Sequence, residues 1–173
     1  MNYCIDGTIN LANMSCPVLT TDETLNLFTQ LIICDRLVIP PQKPDKEHIT
    51  NVIKNFLVTD VQVVEVDLGD GVIRKKVVVF GTLKLGIEYS ADEPEQQVHF
   101  AHFDIPFSGI IGYRPCDPTT NRGLILDSDF PPDGFDIDNF NINLCLEHEQ
   151  YHQLSPREIK AVLVLLIWLE PKA

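Results

Sequence analysis

Residues 74–111, RKKVVVFGTLKLGIEYSADEPEQQVHFAHFDIPFSGII, constrain the fold more than any other stretch of the chain. Val77, Val79, Gly81, Leu83, Leu85, Ile87 and Tyr89 recur at every second position and so share one face of an extended strand. Lys76, Thr82, Lys84 and Glu88, with Val78 and Phe80, take the other face. The same period returns in Ala101, Phe103, Ile105 and Phe107, with His102 and Asp104 opposite them. Between the two runs, Ser90-Ala91-Asp92-Glu93-Pro94-Glu95-Gln96 is polar and holds a proline, which marks a turn. The unit is a long antiparallel hairpin with one apolar face. A hairpin alone is marginal in water, so that face needs a second layer.

The rest of the chain has material for that layer. Residues 56–68, FLVTDVQVVEVDL, are rich in β-branched side chains and read as a strand. Their alternation slips between Val63 and Val64, which predicts a bulge or an end there. Gly69-Asp70-Gly71 then forms a hairpin turn. Downstream, Phe140, Ile142, Leu144 and Leu146 face one way, while Asn139, Asn141, Asn143, Glu147 and Glu149 face the other. Ser155-Pro156-Arg157-Glu158 has the form of a helix capping box, but the body that follows, IKAVLVLLIWL, mixes β-branched residues with leucine. A strand over 157–169, pairing back on 140–153 through a short turn, is the preferred reading. Residues 22–39 fit either a short helix followed by a strand or one long bent strand. Pro40 to Asp45 breaks any element, and Asp45 can cap a short helix over 46–54, where Ile49, Val52 and Ile53 are spaced by three and four. Gly112 to Asp138 reads as a long acidic loop, and residues 1–20 as an extended arm. The expected fold is all-β: an antiparallel two-layer β-sandwich with one short helix, a single domain over 21–173 preceded by the arm.

The net charge of −12 repels phosphate backbones and argues against nucleic-acid partners and anionic membranes. No apolar run reaches the ~18 residues of a membrane span. The first residues, MNYCIDGTINLANM, lack a basic start and a continuous apolar core, so no secretory signal is expected. Cys4, Cys16, Cys34, Cys116 and Cys145 include no C-x-x-C pair, which disfavours a structural zinc site. Two readings stay open for them: reduced, mostly buried thiols in a cytosolic product, or cross-links between subunits formed in an oxidising place.

Three patterns bear on chemistry. His148-Glu149-Gln150-Tyr151-His152 fits H-E-x-x-H, in which two histidines one helical turn apart hold zinc and the glutamate activates water. Glu158 or Glu170 could be offered as a third ligand. The motif needs a helix, whereas the residues before it alternate like a strand, and on a strand the two histidines stand about 13 Å apart. No catalytic role, cofactor or zinc is therefore expected. His99 and His102 read as packing or surface residues. Asp127-Ser128-Asp129 with Asp133-Gly134 resembles a calcium loop but departs from the helix-loop-helix ligand spacing. A solvated acidic loop is favoured there, with a non-standard calcium site at Asp127, Asp129 and Asp133 as the alternative.

The order of features resembles the SPOCS domain of spore-coat and spore-morphogenesis proteins in endospore-forming bacteria. The matching residues are Lys43-Pro44-Asp45 with Ile49, then Gly81 to Tyr89, Val98-His99 with His102-Phe103, Ile105-Pro106-Phe107, and Pro156 to Val162. They span roughly 37–169; the arm lies outside them, and the acidic loop is longer than the family's usual connection. The resemblance implies a non-catalytic assembly module of the spore envelope (coat, exosporium or appendage), made in the mother-cell cytoplasm and deposited on the spore surface. Its expected partners are further copies of itself and other spore-envelope proteins, with no nucleic acid and no membrane. Alternatives are an adaptor docking one coat protein by strand addition and, from another class, a zinc hydrolase using His148 and His152. Cys4, Ile5, Ile9, Leu11 and Cys16 are the residues expected to join subunits, the apolar ones as an added strand and the cysteines as a covalent lock.

Overall fold

The computed structural model describes residues 16, 27–67, 69–112 and 124–173. The elements are β1 (Phe28–Val38), β2 (Lys46–Asp67), β3 (Ile73–Ala91), β4 (Val98–Ile111), β5 (Ile125–Leu126), β6 (Phe140–Ser155) and β7 (Glu158–Pro171). Single 3-10 turns lie at Asp127–Asp129 and Ile137–Asn139. One sheet has the order β1-β7-β6; the other has β2-β3-β4, with the short β5 also on β3. All named pairs are antiparallel.

The two sheets pack face to face on the residues that the period-two pattern puts inside. Val77, Val79, Leu83, Leu85, Ile87 and Tyr89 on β3 are at most 1% exposed, and Ile105 and Phe107 on β4 join them. From the opposite sheet, Ile159, Ala161, Leu163, Leu165 and Ile167 on β7 close the same core. Gly81 is required where it stands, because a Cβ would lie 2.2 Å from the Phe107 ring and 2.6 Å from the Leu57 carbonyl oxygen. The Gly69-Asp70-Gly71 turn is present, with both glycines at positive φ (80° and 77°).

The expected helix over 46–54 is instead the first part of β2. The cause is a β-bulge between Ile49 and Asn51. An extra residue there lets Ile49 and Val52, three apart, both pack on the core, and a spacing of three imitates helical period. Ile53, the third residue of that pattern, is 49% exposed. The slip expected at Val63/Val64 is likewise displaced: the register shifts between Val58 and Asp60, and 61–67 pairs regularly with 73–79. The C-terminal segment is a strand, paired with β6 through a turn at Pro156-Arg157. The loop before it carries structure of its own. Ile125 is buried on β3, and Phe130, Phe135 and Phe140 pack with ring centroids 5.2, 5.3 and 6.0 Å apart. No helix of the described residues is long and apolar enough to cross a membrane.

Candidate assembly surface

Three of the segments that carry the family resemblance meet at one end of the sandwich, through Pro44-Asp45, Tyr89 and Arg157. Lys43-Pro44-Asp45 precedes β2, and Arg157 sits in the β6–β7 turn of the other sheet. The Arg157 guanidinium pairs with Asp45 and donates to the carbonyls of Pro40 (2.6 Å), Lys43 (3.0 Å) and Ile39 (3.2 Å). Lys46 is almost fully buried beside it and donates to the Ser155 carbonyl at 3.0 Å. Burial pushes the Lys46 ammonium below the ordinary lysine range, with Asp45 pulling the other way. The Tyr89 hydroxyl donates to the Pro44 carbonyl at 3.2 Å, and burial raises its pKa. These groups staple the two sheets together and leave carbonyls satisfied where the chain crosses between them.

The H-E-x-x-H residues lie on β6. His148 and His152 stand opposite Val164 and Lys160, on the outer face of the sheet, and Glu149 stands opposite the buried core residue Leu163. The glutamate is thus on the other face from both histidines. It is engaged by Lys54 (2.6 and 2.7 Å) and by the Tyr151 hydroxyl (2.9 Å). Burial and Glu149 together push the Tyr151 hydroxyl far up. Two histidines on one metal with a glutamate facing it is a helical arrangement, and β6 does not provide it.

The acidic loop is held by cation and backbone contacts. Asp127 accepts from Lys75 Nζ at 2.8 Å and from the Phe135 amide at 2.9 Å, and the Lys75 contact holds its carboxyl below the usual range. Gly134, at φ 83°, gives that carboxylate room. Among the described residues, no three His, Cys, Asp or Glu side chains converge as metal ligands would, and Asp127, Asp129 and Asp133 do not form such a set. Asp127 thus has a structural role, tying the loop to β3 through Lys75.

Cys16 forms a disulfide with Cys145 on β6 of the same chain, with Cα atoms 5.7 Å apart. This corrects the expectation that Cys16 locks a neighbouring subunit. Cys4, Ile5, Ile9 and Leu11 lie outside the described residues. Cys145 stands opposite Leu166, which is buried on the outer face of β7, so the bond fixes Cys16 at β6 on that side of the sheet.

Four strands border the sheets: β1 and β6 on one, β2 and β4 on the other. β2 carries three register shifts and β6 two. β4 holds Pro106 at its centre, which has no N–H to offer. β1 alone pairs with its neighbour over all of 28–38 without a shift and without proline. Nothing in its composition marked it at the sequence level. The free edge follows only from the sheet order, although the unbroken, proline-free run LFTQLIICDRLVI was visible.

No curated protein matches the chain, and no solved structure does. Residues 47–124 match the family model described as SipL, SPOCS domain. That segment holds the whole of β3 and β4 and nearly all of β2, while β1, β6 and β7 lie outside it and close the same core. Over residues 47–124, therefore, the chain is similar to the SPOCS domain.

Proposed function

We propose that this chain is a non-catalytic structural subunit of the bacterial spore envelope that acts by associating with copies of itself. The SPOCS match suggests a sporulation-related role. The observation that carries the finer reading is the open sandwich. Among the described residues each sheet ends in strands whose outer edges carry no continuous ladder, and a regular edge is a template for another chain's strand. Strand addition from one copy to the next is head-to-tail, and such contacts build filaments or lattices unless the rotation closes a ring. The polar clusters described above support a structural rather than a catalytic reading, because Arg157, Lys54 and Lys75 each spend their charge on joining elements. The test is electron microscopy with sedimentation of the purified protein. Filaments or sheets are expected. A protein that stays monomeric at high concentration and captures one other coat protein by an edge strand would instead be an adaptor.

A further inference from the structure

We propose that the free edge of β1, from Gln30 to Cys34, receives residues 2–14 of a second copy of this chain as an added strand. The inference rests on the self-association reading and names its acceptor and donor.

The direction of the backbone groups on β1 is fixed at both ends. Leu169 N–H donates to the Leu27 carbonyl at 2.9 Å, and Ile39 N–H donates to the Arg157 carbonyl at 2.8 Å. The register between them is unbroken, so the odd-numbered residues of β1 bond to β7. The even-numbered residues therefore point their N–H and C=O groups away from the sheet. Phe28 uses its outward groups in a bridge to Gly112, and the Arg36 amide is taken by Asp35 Oδ1 at 2.8 Å. Among the described residues nothing takes the outward groups of Gln30, Ile32 and Cys34, three consecutive outward positions.

The Phe28–Gly112 bridge does not continue into a β1–β4 ladder. Extending it by twos would set Cys34 against Pro106, which lacks a donor. What remains is a groove of about 330 Å³ lined by Leu31 to Asp35 and by Ile105 to Ser108. Its lining is mixed, with Leu31, Ile33, Ile105 and Phe107 beside Asp35 and Ser108, and Ile32 is 61% exposed. Strand addition uses main-chain hydrogen bonds to a regular edge and apolar contacts for alternate side chains, which Leu31, Ile33, Ile105 and Phe107 offer here. The other three edges carry the bulges or the proline that discourage it.

The donor is argued from the sequence. Tyr3, Ile5, Ile9 and Leu11 all fall on odd positions, and Cys4, Asp6, Thr8 and Asn10 on even ones. An added strand with that alternation lays its apolar side over Leu31, Ile33, Ile105 and Phe107 and turns its polar side to water. Residues 2–14 hold no proline and one charged side chain, Asp6, so they approach a subunit of net charge −12 at little electrostatic cost. Extended, they span about 43 Å, enough to cover the edge of β1.

The test is Ile32→Pro in the full chain, because the lost N–H is one that β7 does not use. The variant is expected to keep the wild-type circular dichroism and thermal midpoint and to lose assembly. In assembled wild-type protein the amides of Gln30, Ile32 and Cys34 should be protected from hydrogen exchange. A synthetic peptide of residues 2–14, added in excess to unassembled full chain, should protect the same amides and arrest growth. These two measurements decide the matter if the proline variant does not fold. Assembly with these amides unprotected, or undiminished assembly of folded Ile32→Pro, overturns the β1 site and leaves self-association standing. A wild-type chain that stays monomeric overturns both. If its β1 amides are nonetheless protected, the arm pairs with its own β1.

Discussion

Leu85 and Lys84 are neighbours on β3 and point to opposite faces. Leu85 is 1% exposed in the core, while Lys84 lies on the surface, 3.9 Å from Asp104, which is exposed as well. Leu85→Ala is expected to cost about 2–5 kcal/mol, since it empties a packed site. Lys84→Ala should cost less than about 0.5 kcal/mol. Chemical denaturation of both variants checks the pair, and equal losses would refute the facing of β3. Asp127 makes a second test at this scale. Its folded pKa is depressed by Lys75 and by the Phe135 amide. A depressed carboxylate stabilises the fold at pH values above its unfolded pKa of about 4, and that contribution is lost as pH falls through the lower folded value. Asp127→Asn should therefore be less stable than wild type near neutrality, with the gap closing in acid below about pH 4. A gap that stays constant down to pH 2 would show that the Lys75 pair contributes nothing. The core residues were legible in the sequence because alternation on β3 and β4 is unbroken. Arg157 was not, because its four partners come from Ile39 to Asp45, more than a hundred residues away along the chain.

Elements were legible where pairing is regular and misread where it is bulged. Between Ile49 and Asn51, and again between Leu146 and His148, one strand carries an extra residue. Each bulge replaces a spacing of two by a spacing of three on the buried side. At the first, Ile49 and Val52 imitate a helix. At the second, the inward set passes from Leu146 to Glu149, so Glu149 meets Lys54 on the side away from the histidines. This has a chemical consequence. With His148 and His152 about 13 Å apart along β6, one zinc at ~2 Å from each is excluded by distance. Elemental analysis should find no stoichiometric zinc, and His148→Ala and His152→Ala should leave the metal content and thermal midpoint unchanged. One zinc per chain, lost in both variants alike, would refute the strand assignment of this segment. Lys54→Ala should be felt more than either, because it strips Glu149 of its cationic partner and leaves it only the Tyr151 hydroxyl.

At the scale of the whole molecule, the Cys16–Cys145 bond joins positions 129 residues apart and so closes a covalent loop that holds β1 to β5 and the start of β6. The family match covers mainly one sheet, and the bond ties the start of the chain to the other, on β6. It was not legible in the sequence, because five cysteines without a spacing motif leave the pairing open. Closing so long a loop restricts the unfolded chain, and bonds of this kind typically stabilise by about 2–4 kcal/mol. Cys145 in turn stands opposite Leu166, which is 1% exposed. Cys16→Ser with Cys145→Ser should therefore lower the stability of oxidised protein by about 2–4 kcal/mol in denaturant titrations. A reducing agent should bring wild type to the same level and leave the double variant where it was. If the bond sets the point from which residues 1–15 depart, the variant should also assemble at a higher threshold concentration, because its arm must be positioned at an entropic cost each time a copy is added. Identical midpoints for oxidised wild type and the double serine variant would show that Cys16 and Cys145 are not joined in the folded chain, and the arm's point of departure would then be free.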